Sequence, residues 1–121
     1  MLPANQIAAA RPSMASQRLQ RAVDFIEANL DRHISLPEIA NAAGLSPTHF
    51  ARQFRSTVGQ APHHYVMQRR IEHAERGLVE TTTSIAEIAA ACGFSNQEHL
   101  TLLFRRARGT TPAAYRKSRR S

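Results

Sequence analysis

The chain repeats itself, and the repeat constrains its fold more than any other feature. Ser35-Leu36-Pro37-Glu38-Ile39-Ala40-Asn41-Ala42-Ala43-Gly44-Leu45-Ser46 returns 49 residues later as Ser84-Ile85-Ala86-Glu87-Ile88-Ala89-Ala90-Ala91-Cys92-Gly93-Phe94-Ser95. After one inserted residue the offset becomes 50, pairing Phe50 with Leu100, Phe54 with Phe104, Gly59 with Gly109, Pro62 with Pro112 and Tyr65 with Tyr115. Chance does not produce a match of this length, type and order, so one supersecondary unit occurs twice. A length of 121 residues leaves room for two such units as very small subdomains.

Each unit reads as a helix, a tight turn and a second helix. Ser35 with Glu38, and Ser84 with Glu87, have the spacing of capping boxes, in which the serine accepts from a free helical N–H and the glutamate reaches back. Leu36, Ile39 and Ala40 then form an apolar face, as do Ile85, Ile88 and Ala89. Gly44 and Gly93 stop these helices where a left-handed residue is needed. Ser46, followed by Pro47 at the favoured first position, starts the next helix of the first unit, and Ser95 starts that of the second. This is a helix-turn-helix, present twice.

Three further helices are predicted. Leu19, Val23, Ile26 and Leu30 recur at helical spacing over about Ser16 to Leu30. Met67, Ile71, Ala74 and Leu78 do the same over about Pro62 to Val79, a linker helix roughly 27 Å long. A last short helix starts near Thr111-Pro112 and ends before Arg119-Arg120. Thr81-Thr82-Thr83 is a β-branched break, and no segment alternates as a strand would. The expected architecture is all-α, about seven helices, with two helix-turn-helix subdomains joined by a long linker helix. Its parts are a flexible leader or linker over 1–15, a first subdomain over 16–60, the linker helix over 61–80, a second subdomain over 81–117 and a basic tail over 118–121.

Composition narrows the function. Hydrophobic residues make up 42% and charged residues 21%, enough for a core and too apolar for a disordered tail. No apolar run approaches the roughly 20 residues that span a bilayer, and the start of the chain lacks the apolar block of a signal peptide, so a cytoplasmic location and no membrane partner are expected. Sixteen Lys and Arg against nine Asp and Glu give a net charge of +7, which points to a polyanion, nucleic acid before an anionic membrane surface. The basic residues lie on several helices rather than on one polar face, unlike a membrane-surface peptide. The single cysteine, Cys92, cannot form an intrachain disulfide and sits in an apolar stretch, as a small core residue or, less simply, a catalytic thiol. The six histidines lack an acid or cysteine cluster to complete a metal set, so neither metal nor cofactor is expected. No phosphate-cradling loop, paired acids or serine–histidine arrangement points to an enzyme.

In a helix-turn-helix the second helix enters the major groove and its exposed side chains meet base edges. In the first unit that helix is about Pro47 to Val58, with Phe50, Phe54 and Val58 buried and Thr48, Ala51, Arg52 and Arg55 open. Arg52 can bond guanine O6 and N7 together; its other roles are a phosphate contact or a surface pair with a glutamate. In the second unit the helix spans about Asn96 to Arg108, with Leu100, Leu103, Phe104 and Ala107 buried and Gln97, Glu98, Thr101, Leu102 and Arg105 open. Gln97 can address adenine and Glu98 cytosine N4, although Ser95-x-x-Glu98 also has capping-box spacing. Leu102 either meets a thymine methyl or is a harmless exposed leucine. The candidate base-reading set is therefore Thr48, Ala51, Arg52, Gln97, Glu98, Thr101 and Leu102. The candidate phosphate set is Ser46, Arg55, His64, Ser95, Asn96 and Arg105, drawn from cations and helix starts.

These residues resemble the DNA-binding domain of the AraC/XylS family of bacterial transcription regulators. The match is Ser84-Ile85-x-Glu87-Ile88-Ala89-x-x-x-Gly93-Phe94-Ser95, then Phe104-Arg105-Arg106, then Gly109-Thr110-Thr111-Pro112-x-x-Tyr115-Arg116. The first unit carries Phe50-x-Arg52-x-Phe54 and Gly59-x-x-Pro62-x-x-Tyr65, and Arg70-Ile71-x-x-Ala74 looks like the family's linker helix. The similarity covers about Ser16 to Lys117. It implies one monomer reading two neighbouring major grooves of promoter DNA, and contact with RNA polymerase. Two departures stand out. Leu102 replaces an arginine frequent in the second recognition helix, and the small-molecule effector domain common in the family is absent from this chain. The competing readings are a sequence-tolerant architectural DNA binder, resting on charge alone, and a repair enzyme with a similar helical module, which needs a cysteine-bearing region beyond Cys92.

Overall fold

A computed structural model of the chain describes residues 14–120. The leader expected over 1–15 lies outside the described residues except for Met14 and Ala15, which open a helix. Seven helices and no strand occur among the described residues: α1 Met14–Ala28, α2 Leu36–Ala43, α3 Pro47–Val58, α4 Pro62–Glu80, α5 Ile85–Ala91, α6 Gln97–Arg108 and α7 Pro112–Arg120. The all-α, two-unit fold expected from the repeat is the fold observed. The last helix runs further than its sequence suggests. It continues through Arg119 and Arg120 because Arg120 donates to the Thr81 carbonyl and Arg119 stacks over the Tyr115 ring at 4.9 Å.

The chain divides into two compact units, one of residues up to Asn29 with His33–Val66, the other of Leu30–Arg32 with Met67 onward. In the first unit α1 buries Leu19, Val23 and Ile26 while α2 and α3 bury Ile39, Ala40, Phe50, Phe54 and Val58. In the second, Ile71, Ala74 and Leu78 of α4 pack with Ile88, Ala89, Phe94, Leu100 and Phe104. Cys92 is in that same core, and burial pushes its thiol pKa up, which suits a core side chain and not a nucleophile.

The sequence repeat is a repeat of packing as well. Phe54 meets Tyr65 edge-to-face with centroids 5.4 Å apart, and Phe104 meets Tyr115 in the same way at 5.3 Å. Each such pair contributes about 0.5–1.5 kcal/mol beyond its buried area. Gly59 and Gly109 end α3 and α6 in the left-handed conformation, their N–H groups donating to Arg55 and Arg105 carbonyls at 2.9 and 2.8 Å.

Two arginines hold the chain around the turns. Arg18 of α1 donates Nη1 to the Gly44 carbonyl at 2.7 Å, supplying a cation at the C-terminal end of α2. Arg70 of α4, only 7% exposed, donates Nε to the Leu30 carbonyl at 3.1 Å and Nη2 to the Arg32 carbonyl at 2.6 Å. Burial lowers the Arg70 pKa, and the two carbonyls offset the desolvation of its charge.

Candidate nucleic-acid interface

In the first unit α3 is built to present one face. Ser46 caps it, accepting from His49 N–H at 3.3 Å, and Pro47 occupies the first turn. Phe50 and Phe54 are fully buried and Val58 nearly so, which turns the opposite side of the helix outward. Thr48, Arg52 and Arg55 are exposed there, and Ser46 is exposed at the start. Ala51 is half-buried and lines a small cleft with Leu36, Ile39 and Val66. Helical spacing from Arg52 adds two exposed residues that the motif reading passed over, His49 three residues before it and Ser56 four residues after. His64 is exposed in the first turn of α4.

The corresponding helix of the second unit starts one residue later than expected. Asn96, not Ser95, is the N-cap: its side-chain oxygen accepts from His99 N–H at 2.8 Å. Ser95 instead donates its backbone N–H to His99 Nδ1 at 3.2 Å. The inserted residue that changes the repeat offset from 49 to 50 therefore lies in the turn, so that Ser46 corresponds to Asn96. With the cap at Asn96, Glu98 is the second helical residue and has no capping-box partner in Ser95. The capping explanation of Glu98 falls, and its carboxylate sits exposed beside a helix start, where negative charge is favoured.

Leu100 and Phe104 are fully buried, as expected, but Leu103 is half-buried and Ala107 is exposed. The core stripe of α6 is narrower than its apolar sequence because nothing in the unit covers the last turn on Ala107's side. Gln97, Glu98, Leu102 and Arg105 are exposed, Ser95 and Asn96 are exposed at the start, and Thr101 is half-buried. Leu102 is 51% exposed, the most open large apolar side chain of the described residues. Arg106, four residues on, is exposed on the same side and joins this face, a position that the family motif Phe104-Arg105-Arg106 does not by itself reveal.

The turns set these helices. Gly44, at φ +72°, closes α2 with its N–H donating to the Asn41 carbonyl at 3.0 Å. Ser35 and Glu38 form the full capping box at the other end of α2, the Ser35 N–H donating to Glu38 Oε1 at 3.0 Å. In α5 the box is incomplete. Ser84 accepts from Glu87 N–H at 3.1 Å, but Glu87 takes the Ser84 hydroxyl rather than its backbone N–H. Leu36, expected on the buried face of α2, lines the cleft and is 39% exposed. At the far end of α6, Arg108 donates to both Glu75 oxygens of α4, at 2.7 and 3.3 Å. The Arg108 hydrogen bond holds the Glu75 carboxyl below its ordinary range against the opposing effect of burial.

Comparisons with known proteins converge on this arrangement. The helix-turn-helix domain family matches residues 39–118. A helix-turn-helix-type transcriptional regulator of Mycobacterium tuberculosis is 44% identical over 81 residues, 67% of this chain and 31% of that protein. Among solved structures, an AraC-type DNA-binding domain-containing regulator from Chromobacterium violaceum superposes with a TM-score of 0.81 at 32% identity, covering 88% of this chain and 96% of that one. The DNA-binding domain of AdpA, solved in complex with a target DNA, superposes with a TM-score of 0.81 at 34% identity, covering 85% and 93%. The chain spans about a third or less of the length of the curated relatives it matches. Two capped helix-turn-helix units, a matched domain family and neighbours of the AraC type together place the chain in the AraC/XylS family of transcriptional regulators, whose DNA-binding domain it carries.

Proposed function

We propose that this chain is the part of a bacterial transcription regulator that recognises a defined promoter sequence, one monomer reading two adjacent major-groove segments with α3 and α6. The observation that carries this reading is the pair of recognition helices, each anchored by two fully buried side chains and each exposing a polar, arginine-bearing face. The similarity to a domain solved with its target DNA supports it. Thr48, Ala51, Arg52, Gln97, Glu98, Thr101 and Leu102 read bases; Ser46, Arg55, His64, Ser95, Asn96 and Arg105 hold phosphates. Arg52 is the strongest reader, since a guanidinium donates to both guanine acceptors at once. Phosphate contacts fix register and base contacts fix sequence. The role is binding rather than catalysis, in the cytoplasm, and RNA polymerase is the protein partner at the promoter.

The test is selection of duplexes from a random pool with this chain, followed by footprinting of the winners. A bipartite motif with a defined protected site is the expected outcome. Enrichment of no sequence over the pool would overturn the reading in favour of a sequence-tolerant binder.

A further inference from the structure

The basic residues of this protein are concentrated at one end of the second unit. Up to Phe104 the chain carries nine Lys and Arg and nine Asp and Glu, so that stretch is neutral; from Arg105 to Arg120 it carries seven basic residues and no acidic one. Seven cations with no acid among them therefore lie in the C-terminal turn of α6 and in α7. Four of the seven have partners within the unit. Arg108 is paired with Glu75, Arg116 donates to the Leu78 and Thr81 carbonyls, Arg120 donates to the Thr81 carbonyl, and Arg119 stacks on Tyr115. The first three fasten α6 and α7 to α4 and to the segment that follows it. Arg105, Arg106 and Lys117 are exposed.

We propose that this cationic end is a sequence-independent grip on the duplex backbone, carrying most of the salt-dependent affinity of the chain, with Arg106 and Lys117 as phosphate contacts beyond the six of the proposed interface. The inference rests on DNA being the partner. The first unit carries five Arg against three Asp and Glu, a net +2, and the second eleven Lys and Arg against six Asp and Glu, a net +5, so most of the long-range attraction comes from the second unit. Counterion release makes this measurable, because each phosphate neutralised adds about 0.9 to the slope of log affinity against log salt. Paired and carbonyl-bound arginines are held in place, so the patch keeps its charge without collapsing onto the protein.

The experiment is a salt titration of affinity for a random-sequence duplex and for the selected site, with the whole chain and three single variants, Arg106→Gln, Lys117→Gln and Arg21→Gln. Each removes one charge from an exposed side chain; Arg21 lies on α1 in the first unit. Arg106→Gln and Lys117→Gln are expected each to lower the slope by about 0.9 on both duplexes, with melting temperature and selected motif unchanged, and Arg21→Gln to leave the slope as it was. Equal slopes for all four proteins, or an equal drop for Arg21→Gln, would overturn the proposal, since the charge would then act globally or not at all. Binding to phosphatidylglycerol vesicles that falls in Arg106→Gln and Lys117→Gln while the DNA slope stays fixed would overturn it in favour of a membrane surface. A parent chain that binds every duplex alike, with the slope still carried by Arg106 and Lys117, would uphold the grip and overturn only the reading of a defined promoter site.

Discussion

Arg52 and Leu102 are both exposed on recognition helices, yet they offer DNA different chemistry. A guanidinium reading guanine is worth about 1–3 kcal/mol of discrimination, while an isobutyl group offers only shape and contact with a thymine methyl. Arg52→Ala is expected to relax preference at one position in the first half of the selected site. Leu102→Ala is expected to cause a smaller loss confined to a thymine in the second half. Repeating the selection with each variant checks both, and a uniform loss across all sequences for Arg52→Ala would make it a phosphate contact. Glu75 supplies a different kind of residue-scale prediction. Its pKa is depressed by Arg108, so the pair's contribution is complete above the ordinary carboxylate value of 4.5 and is lost as the pH falls through the lower folded value. Glu75→Gln is expected to cost about 0.5–1 kcal/mol near pH 7, and the cost is expected to shrink as the pH falls below 4.5, read as the gap between the two proteins in denaturant melts.

At the scale of the elements, the turn of the second unit is the least forgiving place. Gly93 sits at φ +84°, and a Cβ added there would lie 2.1 Å from the Leu30 carbonyl oxygen and 2.8 Å from Arg70 Nε. Gly109 has a similar φ of +76°, but a Cβ there meets nothing within 4 Å. Both substitutions by alanine carry the left-handed penalty of about 1–2 kcal/mol, and only Gly93→Ala adds a backbone clash that the Arg70 bonds to Leu30 and Arg32 resist relieving. Gly93→Ala is expected to lower the melting temperature well beyond Gly109→Ala; equal losses would mean that the turn yields freely. The caps show how far local sequence reaches. Ser46, Ser35 and Ser84 were legible because a cap needs only the residues on either side of it. Ser95 shows the limit of that reach: two adjacent capping side chains, Ser95 and Asn96, compete for one helix start, and His99, which bonds to both, favours the later one.

For the whole molecule, two recognition helices in one chain predict a bipartite operator whose halves are about 10 base pairs apart, one helical turn. Footprints of the selected duplexes check the spacing. A single uninterrupted half-site of a few base pairs would leave one recognition helix without a role.

The sequence alone determined the repeat, most of the helix starts and stops, and the buried phenylalanines of the recognition helices, because periodicity and capping act over one or two helical turns. It also determined the family and the candidate readers Arg52 and Leu102. Tertiary structure alone decided which side chains are fully exposed, and so put Ala107 outside the core, half-buried Ala51 and Thr101, and opened Leu36. It alone showed that Arg70 reaches back across the chain to the Leu30 and Arg32 carbonyls, and that Arg120 extends the last helix by reaching Thr81. The physical reason is the range of the forces. Backbone hydrogen bonding and rotamer preference are set by near neighbours, whereas burial and the partner of a long cationic side chain depend on segments that only the fold brings within reach.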